Sequence, residues 1–141
     1  MENELPSIRI LKAELTKVED SSLLIGIFKG NFALSAELKR LDDSMGGLIS
    51  SYIADNGFKG EKSELRSIYA KKNVKNIVLA GLGDEKNFNP EVFSSIIADA
   101  SKRIRDGGSL SFSIALNSFS VNGFDEGLMV EKAALSALMG L

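Results

Sequence analysis

Three features of this sequence have residue types and spacing that could do chemistry. They are a glycine turn, a set of acidic pairs and a small lysine cluster. The turn is Gly81-Leu82-Gly83, which closes the apolar run Ile77-Val78-Leu79-Ala80. A Gly-x-Gly turn after a buried strand can hold a phosphate on backbone N–H groups at a helix N-terminus. This one lacks the third glycine of a dinucleotide fingerprint and the Gly-Lys-Ser/Thr ending of a P-loop. It also stands well before Asn89, where the next helix is expected to start, so the glycines do not open that helix. The simpler role is a strand-to-helix corner that needs a positive φ.

The acidic pairs are Asp42-Asp43, Asp84-Glu85 and Asp125-Glu126. Such carboxylates suit Mg²⁺ or Mn²⁺. Each pair falls at a helix end or in a loop, where carboxylates also serve as caps and complement the helix dipole. Nothing in their spacing makes them converge, and no metal-binding residue is assigned. Lys71, Lys72 and Lys75 form the densest basic spot, with Tyr69 as their only aromatic neighbour. Single-strand nucleic-acid platforms need several stacking rings, so a solvated turn is expected there.

What is missing narrows the chemistry further. The chain has no Cys and no His. That removes a thiolate nucleophile, a Cys metal site, the commonest general base at neutral pH and any Ser-His-Asp triad. No catalytic residue is assigned. The 17 basic and 19 acidic residues give a net charge of -2, no footprint for nucleic acid or an anionic membrane. The start of the chain, Met1-Glu2-Asn3-Glu4-Leu5-Pro6, is acidic and unlike a signal peptide, and no apolar run approaches a membrane span. A cytoplasmic protein with no membrane partner is expected.

The elements that must position these residues follow from periodicity. Ser7 to Leu15 alternates loosely and predicts a first strand. Leu23-Leu24-Ile25-Gly26-Ile27-Phe28 is apolar throughout, the pattern of a strand covered on both faces. Ser35 is placed to cap a helix whose apolar face runs through Leu38, Leu41, Met45, Leu48, Ile49, Tyr52 and Ile53, ending at Asn56-Gly57. Gly46-Gly47 interrupts it at a cost of roughly 1 kcal/mol each relative to Ala, which implies a kink or a close backbone contact. Leu65 to Ala70 and Lys75 to Ala80 predict an antiparallel strand pair across the short joint Lys71-Lys72-Asn73.

Asn89 and Pro90 are the cap and first position of a second helix, with a stripe of Phe93, Ile96, Ile97, Ala100 and Ile104 and a stop at Gly107-Gly108. Leu110 to Leu116 alternates with small polar residues and predicts a strand. Asp125 opens a last helix that is apolar on two sides and is therefore expected to be buried on two sides. The sequence ends within it, at Leu141, without a polar tail, which predicts a fragment cut where a larger protein continues. The order is an α/β domain: one mixed β-sheet, residues 1-141, flanked by helices on both faces.

Three segments in order carry a family likeness: Leu41-Asp42 with Gly46-Gly47-Leu48-Ile49, then Gly57-Phe58-Lys59-Gly60-Glu61-Lys62, then Ile77-Val78-Leu79-Ala80-Gly81-Leu82-Gly83. From about Leu23 to Leu141 the chain resembles the N-terminal domain of the leucyl (cytosol) aminopeptidase family. The resemblance implies a macro-domain-like fold. It implies a parent enzyme that removes N-terminal residues from peptides with two divalent metals, Zn or Mn, and assembles as a homo-hexamer. It implies that the catalytic and metal-binding residues lie in the parent's own C-terminal catalytic domain, whose Asn-Thr-Asp-Ala-Glu-Gly-Arg stretch is absent here. No catalytic, cofactor-binding or metal-binding role passes to any residue of this chain. The helix from Glu126 to Leu141 resembles the segment leading into the catalytic domain. One departure, Gly60-Glu61-Lys62-Ser63-Glu64, adds an acidic residue to the turn and leaves the register of the strand pair open. Two functions follow: a non-catalytic domain serving assembly or active-site access, or a free-standing macro-like module binding ADP-ribose or another nucleotide at Gly81-Gly83.

Overall fold

The apolar run after residue 21 is the centre of the fold. A computed structural model describes residues 7–11, 15–17, 22–30, 32–70, 74–108, 111–120 and 125–140. In it, β2 (Ser22–Ile27) is buried along its whole length. It pairs in parallel with β4 (Asn76–Gly81) on one side and β5 (Ser111–Ala115) on the other. β1 (Ser7–Leu11) lies parallel to β5, and β3 (Leu65–Tyr69) lies antiparallel to β4. The sheet order is β1-β5-β2-β4-β3. The open register of the strand pair is settled by Leu65 opposite Ala80 and Tyr69 opposite Asn76.

Strand alternation sends side chains to two separate cores. Leu24, Val78, Ala80, Phe112 and Ile114 face α3 (Pro90–Asp106) and α4 (Glu126–Gly140). Leu23, Ile25, Ile27, Ile77 and Leu79 face α1 (Ala36–Ser44) and α2 (Leu48–Asp55). The mixed sheet with helices on both faces is as expected. Every residue of the predicted α3 stripe is buried, and Asn89 caps that helix by accepting from the Val92 amide at 2.8 Å. Ser35 caps α1 through the Leu38 amide at 3.4 Å.

The single helix expected after Ser35 is two. Gly46 and Gly47 adopt φ of 70° and 79°, which no continuing right-handed helix allows. There is no close backbone contact at either: a Cβ on Gly46 would meet open space, and one on Gly47 would only touch Ser50 and Ser51 side chains. Asp42 repairs the break. Its Oδ1 accepts from the Ile49 and Ser50 amides at 2.6 and 3.2 Å, and its Oδ2 accepts from the Ser50 hydroxyl at 2.6 Å. The last residue of the Leu41-Asp42 marker thus caps α2 from α1, a task its own N-cap glycine cannot perform.

Other boundaries moved less. β1 ends at Leu11, and Leu15 begins a 3-10 turn; residues 12–14 lie outside the described residues. Leu116 starts a 3-10 turn rather than ending β5. Ser109, Leu110, Lys71, Lys72 and Asn73 lie outside the described residues. The expectation that α4 is buried on two sides is overturned. Met129, Ala133 and Ala137 are buried, while Leu128, Leu135, Leu138 and Met139 are exposed. Among the described residues, no helix is long and apolar enough to cross a membrane.

Candidate functional site at the carboxyl edge of the sheet

β2 and β4 are parallel neighbours, yet the helices that follow them cover opposite faces of the sheet. That arrangement opens a crevice beyond the strand ends, where α/β sheets commonly take ligands. Gly81-Leu82-Gly83 lies there, beside Lys29. The loop before β3 also lies there, because the antiparallel β3 begins where β4 ends. The structure therefore joins two of the three marker segments and leaves Gly46-Gly47 at the α1–α2 break.

The joint between the two segments is backbone on backbone. The Gly81 amide donates to the Glu64 carbonyl at 2.7 Å, the Leu82 amide to Ile27 at 3.0 Å and the Gly83 amide to Gly60 at 2.8 Å. The Ser63 amide donates to the Gly81 carbonyl at 3.2 Å, and the Lys29 amide to Gly83 at 3.0 Å. A Cβ on Gly81 would collide with the Glu61 carbonyl oxygen and lie 2.8 Å from the Gly60 carbonyl carbon. Gly81 is a glycine for space, not for a positive φ as the corner role required; only Gly83 of the pair is left-handed, at 75°. All three amides of the turn that would hold a phosphate are thus already engaged within the chain.

A second set of amides has the same fate. Lys59, Gly60 and Glu61 direct successive N–H groups at Glu64 Oε1, at 3.2, 3.1 and 3.2 Å. Such a nest attracts anions, and this one holds the chain's own carboxylate. Glu64 Oε2 accepts from Arg66 Nη2 at 3.0 Å. Hydrogen bonding to Tyr52 first, and then the charge of Glu64, raises the Arg66 guanidinium above its ordinary pKa. Ser63 adopts a φ of 67°, alone among the described non-glycine residues, and so turns the loop back into β3. Sequence reasoning noted the extra acid of this turn and missed its purpose. An acid three to five residues after consecutive loop amides was the available signal.

The space left over is a cleft of about 230 Å³. Lys29 and Lys62 line it opposite Glu61 and Asp84, so it presents no net charge to steer an anion. Its volume is below the roughly 300–1,000 Å³ of typical ligand pockets. Lys29 Nζ and Glu61 are paired at 3.2 Å, both half-exposed. The acidic pairs do not meet: Asp42 caps α2, Asp125 caps α4 by accepting from the Leu128 amide at 2.9 Å, and Asp84 precedes a 3-10 turn at the cleft. Among the described residues, no three acidic, His or Cys side chains come together as a metal would need.

Residues 24–141 match the family model of the cytosol aminopeptidase family, N-terminal domain. The chain belongs to this family. Curated relatives named probable cytosol aminopeptidase include one from Alkaliphilus oremlandii (strain OhILAs), 26% identical over 88% of this chain and 24% of its own length. Another, from Dechloromonas aromatica (strain RCB), is 29% identical over 86% of the chain and 25% of its own length. The chain thus spans about a quarter of the length of these cytosol aminopeptidase relatives. A solved tomato leucine aminopeptidase, in mutant form, matches with a TM-score of 0.73 at 19% identity, covering 99% of this chain and 29% of that one. A Trypanosoma brucei macrodomain also gives 0.73, at 12% identity, covering 92% and 53%. The macro-like fold of this cytosol aminopeptidase domain is therefore shared with proteins of a different name.

Proposed function

We propose that this chain is the non-catalytic N-terminal domain of a cytoplasmic metallo-aminopeptidase. The parent removes N-terminal residues from peptides with two divalent metals, Zn or Mn, held in its C-terminal domain. In the homo-hexamer of that parent, the present domain serves assembly or access to the active site. The observation that carries the non-catalytic assignment is the closed joint at the sheet's carboxyl edge. The amides of Gly81, Leu82 and Gly83 hold Glu64, Ile27 and Gly60 of the same chain. The place where this fold most readily offers a ligand site is thereby used to fasten the loop before β3. The described residues do not fit the two metals, since their carboxylates are dispersed among caps and loops, so no step through a metal is assigned to them.

The test is hydrolysis of a leucine anilide with Mn²⁺ or Zn²⁺ added. The full-length protein is expected to cleave it and the purified 141-residue chain to be inert. Turnover by the short chain would sink the assignment, and so would a reading frame that stops at Leu141. The macro-like fold together with the cleft beside Lys29 supports one second reading, a module for ADP-ribose or another nucleotide. A ligand at 100 times its Kd would stabilise the chain by about 2.7 kcal/mol. With the turn amides engaged, no thermal shift is expected at millimolar ADP-ribose.

A further inference from the structure

Four of the six large hydrophobic side chains exposed among the described residues lie on α4. Leu128 is 39% exposed, Leu135 56%, Leu138 58% and Met139 85%. Spacings of seven, three and four residues put them on one side of the helix. The opposite side, Met129, Ala133 and Ala137, is sealed in the core shared with α3. Glu131 and Lys132 set Leu128 apart on this side, whereas Leu135, Leu138 and Met139 adjoin one another. Isolated exposed apolar residues are ordinary, but such a group marks an interaction surface.

We infer that this surface is the seat of the catalytic domain of the same polypeptide; the inference rests on the function proposed above. Two candidate occupants differ in what they demand of the surface. A second free copy would need roughly 800 Å² from each partner to form a stable pair. Four partly exposed side chains on a single helix fall well short of that. A domain joined to the same chain docks intramolecularly, at an effective concentration in the millimolar range, and a narrow apolar contact suffices. The family places this chain at the N-terminal side of a polypeptide about four times its length.

The chain has no cysteine, so a single thiol can report on each position. Leu135→Cys and Met139→Cys are to be made in the 141-residue chain and in the full-length protein. Tyr69→Cys, on the exposed edge of β3, serves as the control. Labelling by a small maleimide is then followed by peptide mass. At positions 135 and 139 it is expected to be at least tenfold slower in the full-length protein, and equal in both at position 69. Equal rates at 135 and 139, in a full-length protein that hydrolyses the anilide, would overturn this inference and leave the proposed function standing. Slow labelling of the short chain that quickens on dilution would overturn it in favour of a second copy. Absence of any catalytic domain downstream would remove both proposals together.

Discussion

Gly81 and Gly47 each lie inside a marker segment, and they are glycines for opposite reasons. At Gly81 the backbone is in a strand, and the missing Cβ makes room for the Glu61 carbonyl of another segment. At Gly47 there is room for a side chain, but the backbone stands at a φ of 79° so that one helix can end and the next begin at a new angle. The first region is held by backbone hydrogen bonds between segments far apart in sequence; the second is held by short-range backbone bonds, such as the Gly47 amide to the Asp42 carbonyl, and by one buried carboxylate. A glycine in a sequence motif therefore signals a constraint without saying whether it is one of space or of conformation. Only the first kind tightens the edge where a ligand would enter.

Substitutions separate the two. Gly81→Ala is expected to have the largest effect, a loss of about 3 kcal/mol or more, because the methyl meets backbone that Gly83 and Ser63 pin in place. Urea unfolding of the 141-residue chain measures it, and a loss under 1 kcal/mol would mean that the loop before β3 yields freely. Asp42→Ala should cost about 2 kcal/mol by uncapping α2. Asp42→Asn should recover part of that, since one oxygen remains to accept from the Ile49 amide; an equal loss for both would discredit the capping account. Gly47→Ala should cost only about 1 kcal/mol, the strain of a left-handed L-residue with no clash added. If it proved as damaging as Gly81→Ala, the contrast between space and conformation would collapse. Lys29→Ala should change stability by less than about 0.5 kcal/mol, because its partner Glu61 is equally half-exposed. A larger loss would assign the ion pair a part in closing the joint.

Much of the architecture was legible because it rests on periodicity. The fully apolar run at Leu23–Phe28 could only be a central strand, and the Phe93–Ile104 stripe only a helix on one face. The cap residues Ser35 and Asn89 were readable because a cap is local: donor and acceptor lie within three residues. The α1–α2 break was misjudged because glycine in a helix admits either a small bend or a full stop, and Asp42 acts across seven residues. The site was harder still. The Gly81 amide meets Glu64 through strand pairing, and no pattern within either segment records that the turn amides are already engaged. The exposed side of α4 was expected to be covered, since its composition asks for burial. Within the described residues that burial is left undone.

The strand order has a consequence for how such a chain comes into being. β1 emerges from the ribosome first, but both its pairing and its place in the sheet depend on β5, which is synthesised roughly a hundred residues later. β2 and β4 can join early with β3, forming a three-stranded nucleus over α1 and α2. Through that interval the leading strand has no partner and β2 has one bare edge, to be closed only when β5 slides between them. Nascent copies of this domain should thus be most vulnerable to cross-pairing between neighbouring chains just before residue 115 leaves the tunnel.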